Sequence, residues 1–292
     1  MKRFIQLLLK TLLFVTSLFL VGYIAIAVYI NVNKADIVKN VTAKIENEIN
    51  GKVTIGDISL SFFRNFPRVA VLLKEVEVTD LQFKNHHYPF FKGEEVFVQV
   101  DIMKLLKKQF SMKGIKIEHA QFYVYTDSTG YTNGYLFKLK EDSARRASLS
   151  EDHISLKRVI LKNVGLTIDD AEKNKLYDLL FDRLAVNINN SDSALLLSVK
   201  TNLLINKLVF TIGGREILKD HKVEGDFDLV YNKQREELHT NSMDLKIGGQ
   251  PFNLDFTIDM KSPAPKFQLK VNKGSILFAD VKSFLNSQAK IK

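Results

Sequence analysis

From Lys52 onward apolar and polar residues alternate with a period of two, and the rhythm lasts for most of the chain. Successive side chains of a strand point to opposite faces, so each such stretch has one apolar face and one wet face. In the clearest instance Phe252, Leu254, Phe256, Ile258 and Met260 are interleaved with Asn253, Asp255, Thr257 and Asp259. The same pattern holds at Val96, Val98, Val100 and Ile102, at Leu184, Val186 and Ile188, and at Phe267, Leu269 and Val271. One-sided strands in series predict antiparallel pairing with a single apolar face. One strand changes phase midway: Val69, Val71 and Leu73 share one parity, Val76 and Val78 the other. A bulge near Lys74 and Glu75 is needed to keep both sets on the same face. Gly213-Gly214 and Gly248-Gly249, each preceded by Ile, read as hairpin turns.

Roughly 14 strand-like segments, at about 4.8 Å between neighbours, make an open sheet about 65 to 70 Å across. A sheet of that extent does not stay flat. Two architectures satisfy the pattern: a sheet curled into a trough lined by Val, Ile, Leu and Phe, or a closed sandwich whose apolar faces meet. The expected fold class is mainly β, an N-terminal transmembrane helix followed by an elongated, curved antiparallel β-sheet with a few short helices; the closed β-sandwich is the alternative.

The transmembrane helix is read from Thr11 to Ile30, 20 residues without a charge. A helix of that length is about 30 Å long, the thickness of the hydrocarbon core. Lys2, Arg3 and Lys10 precede it, while the flank behind it mixes Lys34 and Lys39 with Asp36, which places the short N-terminus in the cytoplasm and the bulk outside. A cleaved signal peptide, cut near Ala25-Ile26-Ala27, is the competing reading. Next, Ile37, Val41, Ile45 and Ile49 recur every four residues as one stripe of an amphipathic helix, with Gly51 in the C′ position. Met103 to Phe110 and Phe278 to Ser287 read as short helices. Lys140 to Asp152 is charged and lacks an apolar period, so it reads as a loop. The expected sections are therefore 1–33, stub and anchor; 34–139, helix and first β section; 140–152, loop; and 153–292, second β section.

The chain contains no Cys, which removes disulfides, thiolate metal sites and a Cys nucleophile. Its net charge of +9 is spread among apolar positions, and Lys104, Lys107 and Lys108 form the densest basic group. That distribution suits a surface beside anionic lipid headgroups better than one reading nucleic acid. Phosphate-cradling, nucleophile-elbow and zinc-protease motifs are absent. His86 and His87 are adjacent and do not converge on one point of regular structure. The doublets Asp169-Asp170 and Glu94-Glu95 suit strand ends better than acid–base work. No catalytic residue, cofactor or metal site is expected.

Several segments, taken in order, resemble the AsmA-like proteins of Gram-negative envelopes. After the anchor and helix come Gly51-Lys52-Val53-Thr54-Ile55-Gly56, Ile58-Ser59-Leu60-Ser61, Phe62-Phe63-Arg64-Asn65-Phe66-Pro67 and Glu75-Val76-Glu77-Val78-Thr79-Asp80. The most specific match runs from Val96-Phe97-Val98 through Leu105-Leu106, Gly114-Ile115-Lys116-Ile117 and Phe122-Tyr123-Val124 to the D-x-x-G-x-x-N of Asp127 to Asn133, and Val159 to Asp169 resembles the strand that follows. The resemblance implies a non-enzymatic, single-pass inner-membrane protein with its bulk in the periplasm. It is related to TamB-type bridge-like proteins that move phospholipid toward the outer membrane. It supplies no catalytic residues, and the C-terminal region that family members carry is not found. The implied partners are membrane phospholipid, the inner membrane and other envelope proteins, with no nucleic acid; a structural or interaction protein with a closed β core is the alternative. The residues expected to touch lipid are Val96, Val98, Val100, Phe252, Leu254, Phe256 and Ile258.

Overall fold

The computed structural model describes residues 34–61, 70–100, 112–137, 156–210, 215–261 and 266–274, with Ser17, Ile24, Val28, Asn31 and Val32 before them. Most of Thr11 to Ile30, Lys2, Arg3 and Lys10, the segments 103–110, 140–152 and 278–287, and Gly213-Gly214 lie outside the described residues. Among those described, no helix is long and apolar enough to cross a membrane.

Helix α1 (Lys34–Glu48) precedes eleven strands: β1 (Gly51–Ser61), β2 (Ala70–Asp80), β3 (Phe91–Val100), β4 (Met112–Thr126), β5 (Arg158–Asp170), β6 (Lys175–Asn190), β7 (Ala194–Phe210), β8 (Arg215–Asn232), β9 (Glu237–Ile247), β10 (Gln250–Asp259) and β11 (Lys266–Gly274). A one-turn helix α2 (Phe83–His86) and a 3-10 helix (Asn133–Phe137) interrupt them. The strands hydrogen-bond in chain order into one sheet. No second sheet meets its apolar face among the described residues, which overturns the sandwich alternative.

Two further expectations are corrected. The sheet is mixed, because β4 and β5 run parallel, joined from Gly114 opposite Arg158 to Thr126 opposite Asp170. β4 ends at Thr126 and β5 begins, parallel to it, at Arg158, a connection that a tight turn cannot make. Alternation fixes which face a side chain takes but not the direction of its strand. Among the described residues the strands number eleven and run longer than the pattern suggested, because a strand with a phase change inside it reads as two.

That phase change is a property of the sheet rather than of one strand. Pairing passes over Gly56, Glu75, Glu94, His119, Asn163 and Asp182, which lie at one level across β1 to β6. Glu75, His119 and Asn163 adopt left-handed backbone, with φ of 52°, 53° and 53°. Parity switches in all six strands at this line, so the apolar sets on both sides stay on one face. The bulge expected near Lys74 and Glu75 is thus one link of a crease. At the β9–β10 hairpin, Gly248 and Gly249 both have positive φ, 57° and 83°, as a two-residue primed turn requires.

Cross-strand partners share a face, so the register defines apolar rows. One crosses all eleven strands: Ile58, Leu73, Val96, Ile117, Leu161, Leu184, Thr201, Gly225, Leu245, Phe252 and Gly274. Beyond the crease a second row runs from Ile55 through Val76, Gly93, Ala120, Val164, Phe181, Leu203 and Val223 to Ile247.

α1 covers the first strands of this face. Val38 packs on the cluster of Ile58, Leu73, Val76, Phe91 and Val96. Ile49 closes over Val53 and Leu136, the latter from the 3-10 helix. Val38 lies on the helix and Ile49 directly follows its last residue, Glu48, whereas Ile45 is exposed. Of the expected stripe, Ile49 is thus buried and Ile45 exposed, and the side chains of Ile37 and Val41 lie outside the described ones. Gly51 is not the helix C′ residue but the first residue of β1. A Cβ there would collide with the Thr79 carbonyl of β2, so the close approach of two backbones demands glycine.

Candidate apolar binding face

Beyond β4 the apolar face is only partly closed: Val164, Val199, Ile205 and Val223 stay buried, and their neighbours do not. Leu161, Leu166, Leu179, Phe181 and Leu184 on β5 and β6 are half-buried rather than buried. At the end of the sheet, Phe267, Leu269 and Val271 of β11 are 61%, 52% and 57% exposed. They pair with Ile258, Phe256 and Leu254 of β10, and the Phe256 and Phe267 rings stack with centroids 6.4 Å apart. Three exposed apolar side chains in a row on an edge strand are unusual, because such edges promote association. Lys266, Lys270 and Lys273 on the same strand counter that tendency with charge.

Val100 apart, the structure places the residues singled out from the sequence on this one face, though not in one pocket. Val96 is buried and Val98 half-buried in the packed region near α1, and Val100 sits in register opposite Met112, its side chain outside those described. Leu254 is buried; Phe252, Phe256 and Ile258 are half-buried near the open end. Val96 and Phe252 occupy the same row, seven strand spacings or about 34 Å apart. A single acyl chain does not touch both. Leu166, Leu179, Phe181 and Leu203 join them across the middle of the sheet, and sequence reading missed these because the crease hides their common parity.

The polar groups form closed networks instead of a reactive site. Buried Asp80 accepts hydrogen bonds from His86 Nε2 (2.9 Å), Gln82 N (3.2 Å) and the Tyr131 hydroxyl. His86 Nδ1 accepts from the Tyr88 N–H at 3.0 Å, which fixes the Nε2–H tautomer. Tyr88 stacks on Tyr123, whose hydroxyl donates to Asp169 at 3.1 Å. Burial, aided by that carboxylate, pushes the Tyr123 phenol well above its usual range. Asp170 accepts from Lys173 N in the β5–β6 turn. Buried Glu118 lies 3.0 Å from Lys116 and 3.7 Å from Lys162. Among the described residues no group of His, Cys, Asp or Glu is arranged to hold a metal.

The D-x-x-G-x-x-N segment has a definite structural task. Asp127 Oδ1 accepts from Thr129 N, Thr129 Oγ1 and Tyr131 N at 2.7, 2.6 and 3.0 Å. Those bonds, led by the one from the Thr129 side chain, hold its carboxyl below the ordinary range. Gly130 supplies the φ of 85° at the turn. Asn133, fully buried, accepts from Tyr125 N at 2.9 Å and donates to the carbonyls of Tyr123 and Tyr88 at 2.8 and 3.4 Å. The segment thus fastens the 3-10 helix, and Leu136 with it, against the end of β4.

No curated protein and no solved structure matches the chain. The model of the AsmA family matches residues 1–203, from the N-terminus through most of β7, and on that match the chain belongs to the AsmA family.

Proposed function

We propose that this chain is a non-enzymatic envelope protein, anchored once in the inner membrane with its bulk in the periplasm. Its apolar sheet face, curved into a trough, handles phospholipid for outer-membrane assembly or homeostasis. The observation that carries this reading is the single apolar face spanning eleven strands, which begins under α1 and, beside its last row, carries the exposed Phe267, Leu269 and Val271 on β11. Family membership and the 20 uncharged residues from Thr11 to Ile30 support the envelope location and the anchor. Acyl chains gain about 0.8 kcal/mol per methylene removed from water, so covering six methylenes offsets about 5 kcal/mol of exposure. No bond is broken, and the headgroup stays in solvent.

A second reading, a structural or interaction protein of the envelope, draws on the buried cluster beneath α1, where Leu73, Val76 and Val96 fill a core. A photo-crosslinking amino acid at Phe256 of the full chain in membranes separates the two. The lipid reading expects a phospholipid adduct there, reduced at least tenfold by Leu269→Asp, a change at a side chain already half in water. Absence of any lipid adduct, with the β circular dichroism intact, supports the structural reading.

A further inference from the structure

A groove of ≈ 790 Å³ lies between α1 and β1, lined in part by Val32, Ala35, Val38, Thr42 and Ile55. Clefts of about 300 to 1,000 Å³ hold small ligands. Its location is informative. Ile55, in its wall, begins the apolar row that continues through Val76, Ala120, Val164 and Phe181 to Ile247, so the groove lies at the β1 end of that row, next to the cluster packed under α1. Asn31 and Val32, which also line it, directly follow the uncharged stretch that ends at Ile30. The groove is therefore the part of the apolar face nearest in the chain to the membrane-spanning stretch.

Its charge matches one kind of occupant. Lys34 pairs with Asp57 of β1, which ties the start of the helix to the strand, and exposed Lys39 lines the groove as well. The acidic residue present, Glu46, accepts from the Val53 backbone N–H at 2.9 Å. An apolar wall beside a lysine fits an amphiphile with an acyl chain and a phosphate.

We propose that this groove is the loading port of the apolar face: one acyl chain of a membrane phospholipid enters between α1 and β1, with its phosphate at Lys39, before moving along the strands. The proposal rests on the lipid-handling reading above and adds where lipid enters and which residues admit it. Helix α1 is then a guide over the membrane end of the face as well as its cover. The Lys34–Asp57 pair sets how closely the guide lies on β1.

The test uses the full chain in vesicles of phosphatidylethanolamine and phosphatidylglycerol with a radiolabelled acyl chain. A photo-crosslinking amino acid is placed at Thr42 in one sample and at Phe256 in another. Labelled lipid is expected at both positions. Lys39→Glu is expected to lower both adducts at least fivefold. Ala35→Trp, which fills the groove from an exposed position, is expected to lower the Phe256 adduct at least tenfold. Lipid offered from mixed micelles, which bypass the port, restores that adduct and shows that the filled variant keeps its distal face. A Phe256 adduct without a Thr42 adduct, or a Phe256 adduct indifferent to Ala35→Trp, overturns the port while leaving the lipid-handling reading in place. Absence of both adducts overturns the two together.

Discussion

Replacing Asn133 with leucine is expected to cost about 3 to 5 kcal/mol of folding stability, because two backbone groups of β4 lose the partner that the 3-10 helix brings to them. The Tyr125 N–H donates to the Asn133 carbonyl oxygen, and the Tyr123 carbonyl accepts from its amide. Leucine fills a similar volume and offers neither function, so each group is left desolvated at about 1 to 3 kcal/mol. Aspartate keeps the acceptor and loses the donors, setting a carboxylate against the carbonyls of Tyr123 and Tyr88, and should be no better tolerated. The measurement is urea unfolding: the midpoint should fall with an unchanged slope. A loss below about 1 kcal/mol would show that the clamp is redundant with the strand pairing. The loss is large because Leu136, which closes the cluster with Ile49 and Val53, hangs on the same short helix.

What the sequence made legible is the side of the sheet each residue takes. Alternation in β3, β6, β10 and β11 places Val96, Leu184, Phe252 and Phe267 on one face, as the register does. The switch at Glu75 was readable too, since Leu73 and Val76 have opposite parity and both are buried. Direction and distance were not readable. Nothing in the parity of Ile115 or Val159 distinguishes a parallel from an antiparallel neighbour, and nothing in Val96 or Phe252 says that seven strand spacings separate them. Helix α1 shows a different limit. Of its four-residue spacing, Ile49 is buried and Ile45 is exposed, while Val38, outside that spacing, packs on the sheet. The Asp80 network was hidden because its members, His86 and Tyr131, are brought together by tertiary structure alone.

Deleting Glu75 is expected to abolish the native sheet, whereas changing it to glycine should leave stability unchanged or raise it by up to about 1 kcal/mol. The contrast isolates the crease from the side chain. Glu75 is an exposed residue with φ of 52°, a conformation that glycine adopts without penalty. Its physical role is to be an extra residue: it lets Val76 and Val78 follow Leu73 on the apolar face even though their parity differs. Without it, the second half of β2 faces two choices. It can flip, moving Val76 and Val78 to the polar face and turning Glu77 and Thr79 toward Phe91 and Ile55. Alternatively it can slip by one residue against both β1 and β3 and lose the pairing of Val76 with Ile55 and Gly93. Exposing the two valines costs about 1.5 to 3 kcal/mol each, and forcing the Glu77 carboxylate onto an apolar face adds several more. The total reaches the whole stability of an ordinary domain. The neighbours cannot adapt, because Gly56 and Glu94 hold the same line on either side and the switch continues through His119, Asn163 and Asp182. Circular dichroism and protease resistance of the two variants decide the point. A folded deletion variant with wild-type unfolding behaviour would mean that the crease is a local accommodation in each strand, not a register shared by six.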